Sequence, residues 1–329
     1  MEKLLQVERL ETEFTKDKQK LKILHGVNFH IHKGEVLGLV GESGSGKSIT
    51  SLSIMKLFKG TSGKISNGTI RFNGQDLTNQ SEAAMRKIRG KQIAMIFQEP
   101  MTSLNPVMKI GEQLLEPIRL HLGFDAKKAK EHAISILKKV GIPRAEEIMS
   151  EYPHQLSGGM RQRIMIAMAI SCHPQLLIAD EPTTALDVTI QAQILDVMKQ
   201  LQEKETMSML LITHDLGVVA EMCDRVVVMY AGKVVEEADV FDLFESPKHP
   251  YTIGLIGSVP KLGHKKEKLD SIKGNVPNPG ALPKGCKFAP RCDAVMPICH
   301  QEEPPESSFE NGQSCSCWLY QEERRGIGV

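Results

Sequence analysis

Short apolar runs recur along the chain: VNFHIH (27–32), VLGLVG (36–41), TIRFNG (69–74), QIAMIF (92–97), LLIAD (176–180), MLLIT (209–213) and RVVVMY (225–230). Several lack polar interruption, the pattern of strands covered on both faces. Between them the period lengthens. In AKKAKEHAISILKKV (126–140), Ala129, Ala133, Ile136, Leu137 and Val140 share one helical face, and lysines cover much of the rest. Such alternation predicts an α/β fold with a largely parallel sheet. Helical patterning dominates residues 101–170 and predicts a helical insertion there. After about residue 244 the texture turns to Pro, Gly, Lys and Cys, and residues 263–285 read as a linker or loosely ordered loop. No internal repeat is visible.

Composition narrows this picture. A chain of 329 residues accommodates two domains, and 41% hydrophobic residues suffice for a real core. The formal net charge is +1, so no global basic field points to nucleic acid. MSMLLIT and RVVVMY are the greasiest stretches and fall far short of the ~20 apolar residues of a membrane-spanning helix. A soluble protein is expected, with any membrane role exercised through a partner. Residues 1–14 lack the apolar core of a signal peptide, so the seven cysteines are expected to be reduced, which favours metal binding over disulfides.

GESGSGKS (41–48) follows the strand-like VLGLV and opens a helical segment, the context that the GxxxxGKS pattern requires. Gly41, Gly44 and Gly46 let the backbone curl around phosphate oxygens. Ser43 and Ser45 complete the loop, Lys47 adds a positive charge, and the Ser48 hydroxyl suits Mg²⁺. The apolar run LLIADEP (176–182) ends in Asp180 and Glu181. Beside a phosphate loop, Asp180 suits a magnesium shell and Glu181 the orientation or deprotonation of an attacking water. A helix cap or surface turn is the bland reading of that pair.

Further motifs carry a family resemblance. LSGGMRQR (156–163) resembles the signature of ABC-transporter ATPases, IFQEP their glutamine loop with Gln98, TALDV their aspartate loop with Asp187, and ITHD their histidine switch with His214. Phe14 occupies the position of the aromatic residue that stacks on adenine. The resemblance implies an α/β phosphate-loop ATPase with a RecA-like core, an antiparallel β subdomain, a helical signature subdomain and a small cysteine-containing C-terminal extension. The implied boundaries are a nucleotide-binding domain over 1–245, its helical subdomain over about 99–170, and an extension over 246–329. Gln98 joins Ser48 and Asp180 around Mg²⁺, Glu181 is the catalytic base, and His214 contacts the γ-phosphate. Ser157, Gly158 and Gly159 form a helix start suited to a second anion, which the family implies is the γ-phosphate held by a facing subunit. Taken singly, His214 could cap the next helix, Phe14 could be a core strand residue, Gln98 a polar loop residue and SGG a flexible turn.

The cysteines single out one branch. SPKHPYTIGLIGSVPKL (246–262) resembles the C-terminal extension of the ATPases of dipeptide, oligopeptide and nickel importers. GCKFAPRC, MPIC and CWLY resemble the cysteine pattern of the peptide importers, matching Cys286, Cys292, Cys299 and Cys317. That match implies a four-iron, four-sulfur cluster with a structural role. Structural zinc is the alternative, and a disulfide or free thiols the third reading. Cys315 is a spare, while Cys172 and Cys223 read as buried packing residues. The resemblance implies ATP and Mg²⁺ as cofactors. Its implied partners are a second ABC ATPase (a heterodimer, or a homodimer in isolation), two transmembrane permeases, an extracellular substrate-binding protein indirectly, and no nucleic acid. The expected location is the cytoplasmic face of the membrane, with residues from Gln98 to about Ser150 as the permease dock. A nickel or metallophore importer is the related alternative, and a soluble non-transport ABC ATPase the alternative of another class.

Overall fold

A computed structural model describes residues 2–16, 19–58, 60–98, 104–184, 187–258 and 272–321. The chain forms two compact units. One comprises residues 1–4, 31–36 and 79–212, the other 5–30, 37–78 and 213–329.

The elements run in chain order as β1 (Lys3–Lys16), β2 (Gln19–His32), β3 (Val36–Val40), α1 (Lys47–Ile54), β4 (Gly63–Phe72), β5 (Gln75–Asp76), α2 (Glu82–Ile88) and β6 (Ile93–Ile96). There follow α3 (Ile110–Leu122), α4 (Ala126–Lys139), α5 (Ala145–Ile148), α6 (Gly158–Ile170), β7 (Leu176–Asp180), α7 (Val188–Glu205) and β8 (Ser208–Thr213). The last are α8 (Leu216–Met222), β9 (Arg225–Tyr230), β10 (Lys233–Asp239), α9 (Val240–Glu245), α10 (Pro250–Gly257), β11 (Glu306–Ser308) and β12 (Ser314–Ser316).

In the unit that contains residues 79–212, β6, β7 and β8 pair in parallel, with Ile93 opposite Leu176 and Leu176 opposite Ser208. All residues of β7 and β8 are buried, as uninterrupted apolar runs require. Helices fill the expected insertion. α4 starts on the Asp125 carboxylate, which accepts from the Lys128 amide at 2.8 Å. It buries Ala129, Ala133, Ile136 and Leu137, the face read from the sequence. α3 packs beside it with Ile110, Leu114 and Ile118 buried, and ends on the left-handed Gly123 (φ 67). Residues 99–103 of the insertion lie outside the described residues.

The other unit carries two sheets. One has the order β2-β1-β4-β5, and its β1–β4 pair is antiparallel. There Leu5 faces Phe72 and Val7 faces Ile70, so alternate positions build an apolar face. In the other, β3 pairs with β9 in parallel, and β9, β10, β12 and β11 continue antiparallel. β11 and β12 come from the C-terminal extension, in which no strand is read from the sequence. They are three residues each, too short for a periodic signature, and β12 takes its register from β10 (Glu236 opposite Cys315). No helix among the described residues is long and apolar enough to cross a membrane.

Candidate functional site

Loop 41–48 joins β3 to α1 within one unit. Gly41, Gly44 and Gly46 adopt positive φ of 151, 82 and 105, a region that side chains rarely enter. A Cβ on Gly41 would lie 2.2 Å from the Met229 carbonyl oxygen, whereas Gly44 faces open space. The loop therefore wraps tightly on one side and stays open on the other. α1 begins at Lys47 with neither an acidic residue in its first turn nor a side-chain cap, so its partial positive end is not neutralised locally. Lys47 is buried, its Nζ donating to the Gly41 carbonyl at 2.6 Å and the Glu42 carbonyl at 3.1 Å. Ser43 is exposed, Ser48 half-buried, and the Ser45 Oγ is buried with no hydrogen-bond partner among the described residues. An inward glycine cradle, a lysine and an orphaned hydroxyl fit a polyphosphate.

Phe14, also in this unit, is half-buried on β1, edge-on to Phe58 at 5.9 Å. His214 follows β8 and is exposed. The cap of α8 is Asp215, whose Oδ1 accepts from the Gly217 amide at 2.8 Å. The capping role weighed for His214 thus belongs to its neighbour.

The other unit holds the acidic pair and the signature helix. Asp180 ends β7 and is 4% exposed. Glu181 follows with φ 47, its amide donating to the Ile212 carbonyl at 2.8 Å. Its carboxylate accepts from Gln98 Nε2 at 2.9 Å and from Thr184 Oγ1 at 3.0 Å. Gln98 and Glu181, quoted from separate motifs, are thus in contact. Ser157 caps α6 by accepting from the Met160 amide at 3.3 Å, and Ser157 and Gly158 are exposed. A Cβ on Gly159 would meet Ile190 of α7 at 3.0 Å, a tight approach between the two helices. Buried Gln162 of α6 donates to the Pro182 carbonyl, tying this helix to the turn that carries Glu181. Asp187 caps α7 through the Ile190 amide at 3.0 Å; Ala185 and Leu186 lie outside the described residues.

In the extension, Cys286, Cys292, Cys299 and Cys317 border one small cavity with Phe288 and Trp318. The Cys286 amide donates to the Cys299 carbonyl at 2.8 Å, and a Cβ on Gly285 would lie 2.3 Å from that same oxygen. Burial pushes the Cys286 thiol up to about 11, with the charges of Cys299 and Cys317 adding to the rise. Cys315, buried on β12, hydrogen-bonds to Cys317, which lowers the Cys317 thiol and raises its own. The donor chemistry suits a thiophilic centre. Yet no three His, Cys, Asp or Glu among the described residues form a group that could hold a metal ion. Cys172 and Cys223 are buried as expected, and burial raises both thiols.

Several functional contacts escaped the sequence. Glu42, at an unassigned position of the phosphate loop, is held by Arg291 and Tyr251 of the extension. Glu236, fully buried on β10, accepts from the Lys248 amide at 2.7 Å, the His249 amide at 2.8 Å and Gln313 Nε2 at 2.7 Å. The only available signal was that Tyr251 and Arg291 lie inside the extension motifs, which names no partner.

A glycine-cradled helix start, an acidic strand end and a capped signature helix on an α/β scaffold define a phosphate-loop ATPase cassette. The family profile "ABC transporter" matches residues 24–184, and "Oligopeptide/dipeptide transporter, C-terminal region" matches residues 235–299. The chain is 56% identical to the oligopeptide transport ATP-binding protein AppD of Bacillus subtilis, over 98% of each chain. It is 50% identical to the dipeptide transport ATP-binding protein DppD of the same organism, over 97% of this chain and 95% of that one. Among solved structures it resembles the dimeric ATP-binding cassette MJ0796 bound to ADP and Pi, with a TM-score of 0.65, 26% identity, and 72% of this chain and 98% of that one covered. CbiO1 from Clostridium perfringens, part of an ABC transporter complex, gives a TM-score of 0.63 at 25% identity, covering 75% of this chain and 92% of that one. The chain belongs to the family of ABC-transporter ATP-binding proteins of the oligopeptide and dipeptide type.

Proposed function

We propose that this chain is the ATP-hydrolysing subunit that energises import of dipeptides or oligopeptides across the cytoplasmic membrane. The observation that carries the reading is the cradle of loop 41–48, three left-handed glycines opening onto an uncapped helix start. Lys47 and the loop amides bind the phosphates, Phe14 stacks on adenine, and His214 orients the γ-phosphate. Ser48, Gln98 and Asp180 hold Mg²⁺, which supplies neutralisation of charge on the phosphate oxygens. Glu181 takes the proton of the attacking water. The water oxygen bonds to the γ-phosphorus while the bridging P–O bond breaks, its electron pair leaving with ADP. The Gln98 amide on the Glu181 carboxylate supports this role, because it helps to hold the orientation of that side chain.

Ser157, Gly158 and Gly159 present a helix start to the nucleotide of a second ATPase subunit; the dimer of MJ0796 with ADP and Pi supports such pairing. Two permeases and an external binding protein complete the transporter, with this chain at the cytoplasmic face. An open groove along α3, flanked by the 74% exposed Leu120, supports docking of a permease helix there. Cys286, Cys292, Cys299 and Cys317 would hold a four-iron, four-sulfur cluster as a structural pin; four thiols bordering one cavity support this, although they are not drawn together into a metal-binding group in this structure. In the transporter reconstituted in vesicles, peptide-loaded binding protein is expected to stimulate hydrolysis. E181Q is expected to bind ATP normally while turnover falls by about 10²-fold or more. Unchanged hydrolysis in E181Q removes Glu181 from catalysis, and stimulation by nickel complexes instead of peptides overturns the substrate class.

A further inference from the structure

Arg291 ends the helical turn Ala289–Arg291 in the extension, and its side chain is 5% exposed. Its guanidinium grips Glu42 of the phosphate loop with two prongs, Nη1 to Oε2 at 2.6 Å and Nη2 to Oε1 at 3.0 Å. The remaining donors are also spent. Nε donates to the Lys273 carbonyl at 2.7 Å, Nη2 to the Gly274 carbonyl at 3.2 Å, and Nη1 to the Tyr230 hydroxyl at 3.4 Å. The Glu42 amide donates to the hydroxyl of fully buried Tyr251 at 2.7 Å. The Glu42 carbonyl accepts from the Ser45 amide at 3.1 Å and from Lys47 Nζ at 3.1 Å. One loop residue is thus fixed at carboxylate, amide and carbonyl, and two of those anchors come from the extension.

Two consequences follow from elementary electrostatics. A carboxylate in a loop that cradles phosphates repels them, and an arginine fork is the side chain best shaped to cover both of its oxygens. The Glu42 amide, turned onto Tyr251, is withdrawn from the set that faces the ligand. We infer that Arg291 is a positioning residue of the phosphate-binding loop: its grip on Glu42 fixes the loop and masks the carboxylate from the incoming triphosphate, so the cysteine-bearing extension sets the nucleotide affinity. This rests on the reading that loop 41–48 binds ATP.

The test is MgATP affinity of the full chain, measured by titration calorimetry, alongside the melting temperature. R291M keeps the aliphatic stem and loses the fork; its affinity is expected to fall about tenfold. The double variant R291M/E42Q is expected to return to within about threefold of the unmodified chain, since no carboxylate then faces the phosphates. A role confined to packing gives no such recovery. Unchanged affinity in R291M, or a double variant as weak as R291M, overturns the inference. Should R291M not fold, R291K against R291K/E42Q carries the same comparison, the lone ammonium giving a smaller loss that E42Q must still reverse. If the unmodified chain binds no MgATP, the nucleotide reading itself falls, and this inference with it.

Discussion

Glu181 adopts a left-handed backbone (φ 47) that costs a residue with a Cβ about 1 kcal/mol. The hydrogen bond from its amide to the Ile212 carbonyl and those that its carboxylate accepts from Gln98 and Thr184 hold it there. His25 illustrates a different constraint. Its Nε2 is buried with no hydrogen-bond partner among the described residues. Burial first, then the charges of Lys287, Lys233 and Lys22, hold its imidazole below the ordinary value. The unfolded chain therefore takes up this proton before the folded one does. Stability is fully present above about pH 6.5 and falls as pH drops below it, by at most about 1.4 kcal/mol per unit for one proton. H25L should flatten the acid limb of the stability curve below pH 6.5 and leave pH 8 nearly unchanged, as read from denaturant melts. An identical limb in H25L refutes this.

Among elements, β10 ties residues of the C-terminal extension to its sheet. Its Glu236 receives three donors from residues 248, 249 and 313, while β12 pairs along its edge. A buried carboxyl with several donors is costly to remove, since each orphaned donor loses about 1 kcal/mol or more. E236A is expected to destabilise the protein by about 3 kcal/mol. Limited proteolysis should then cut within residues 246–321 before the rest; a protease pattern matching the unmodified chain contradicts this account. α4, in contrast, follows its sequence directly. A 3.6-residue period and an Asp125 cap define it, so pattern and structure agree residue by residue.

The fold as a whole assembles each unit from three separate stretches of chain. Glu42 and Arg291 lie 249 positions apart and are still joined by a two-pronged ion pair. The extension adds a small core of Ala289, Cys299 and Trp318, too little apolar surface to stand alone, so a bound cluster would supply much of its stability. Protein purified without oxygen is expected to be brown, with broad visible absorption lost in C292S. A colourless preparation with stoichiometric zinc reverses the metal assignment, and one with neither leaves the cavity to packing thiols.

Local chemistry made the phosphate loop and the acidic strand end legible in the sequence, because glycines and apolar runs act on neighbours a few residues away, whereas SGG taken singly reads as a flexible turn and only the family resemblance pointed to a signature helix. The strands β3, β7 and β8 were legible for the same reason, since continuous apolar runs must be covered on both faces. Only the tertiary structure decided that β11 and β12 extend β10, that Asp215 rather than His214 caps α8, and that Gln98 touches Glu181. It alone set Arg291 on Glu42. Three-residue strands, ion pairs and buried hydrogen bonds leave no periodic trace along a chain; their partners are chosen by packing.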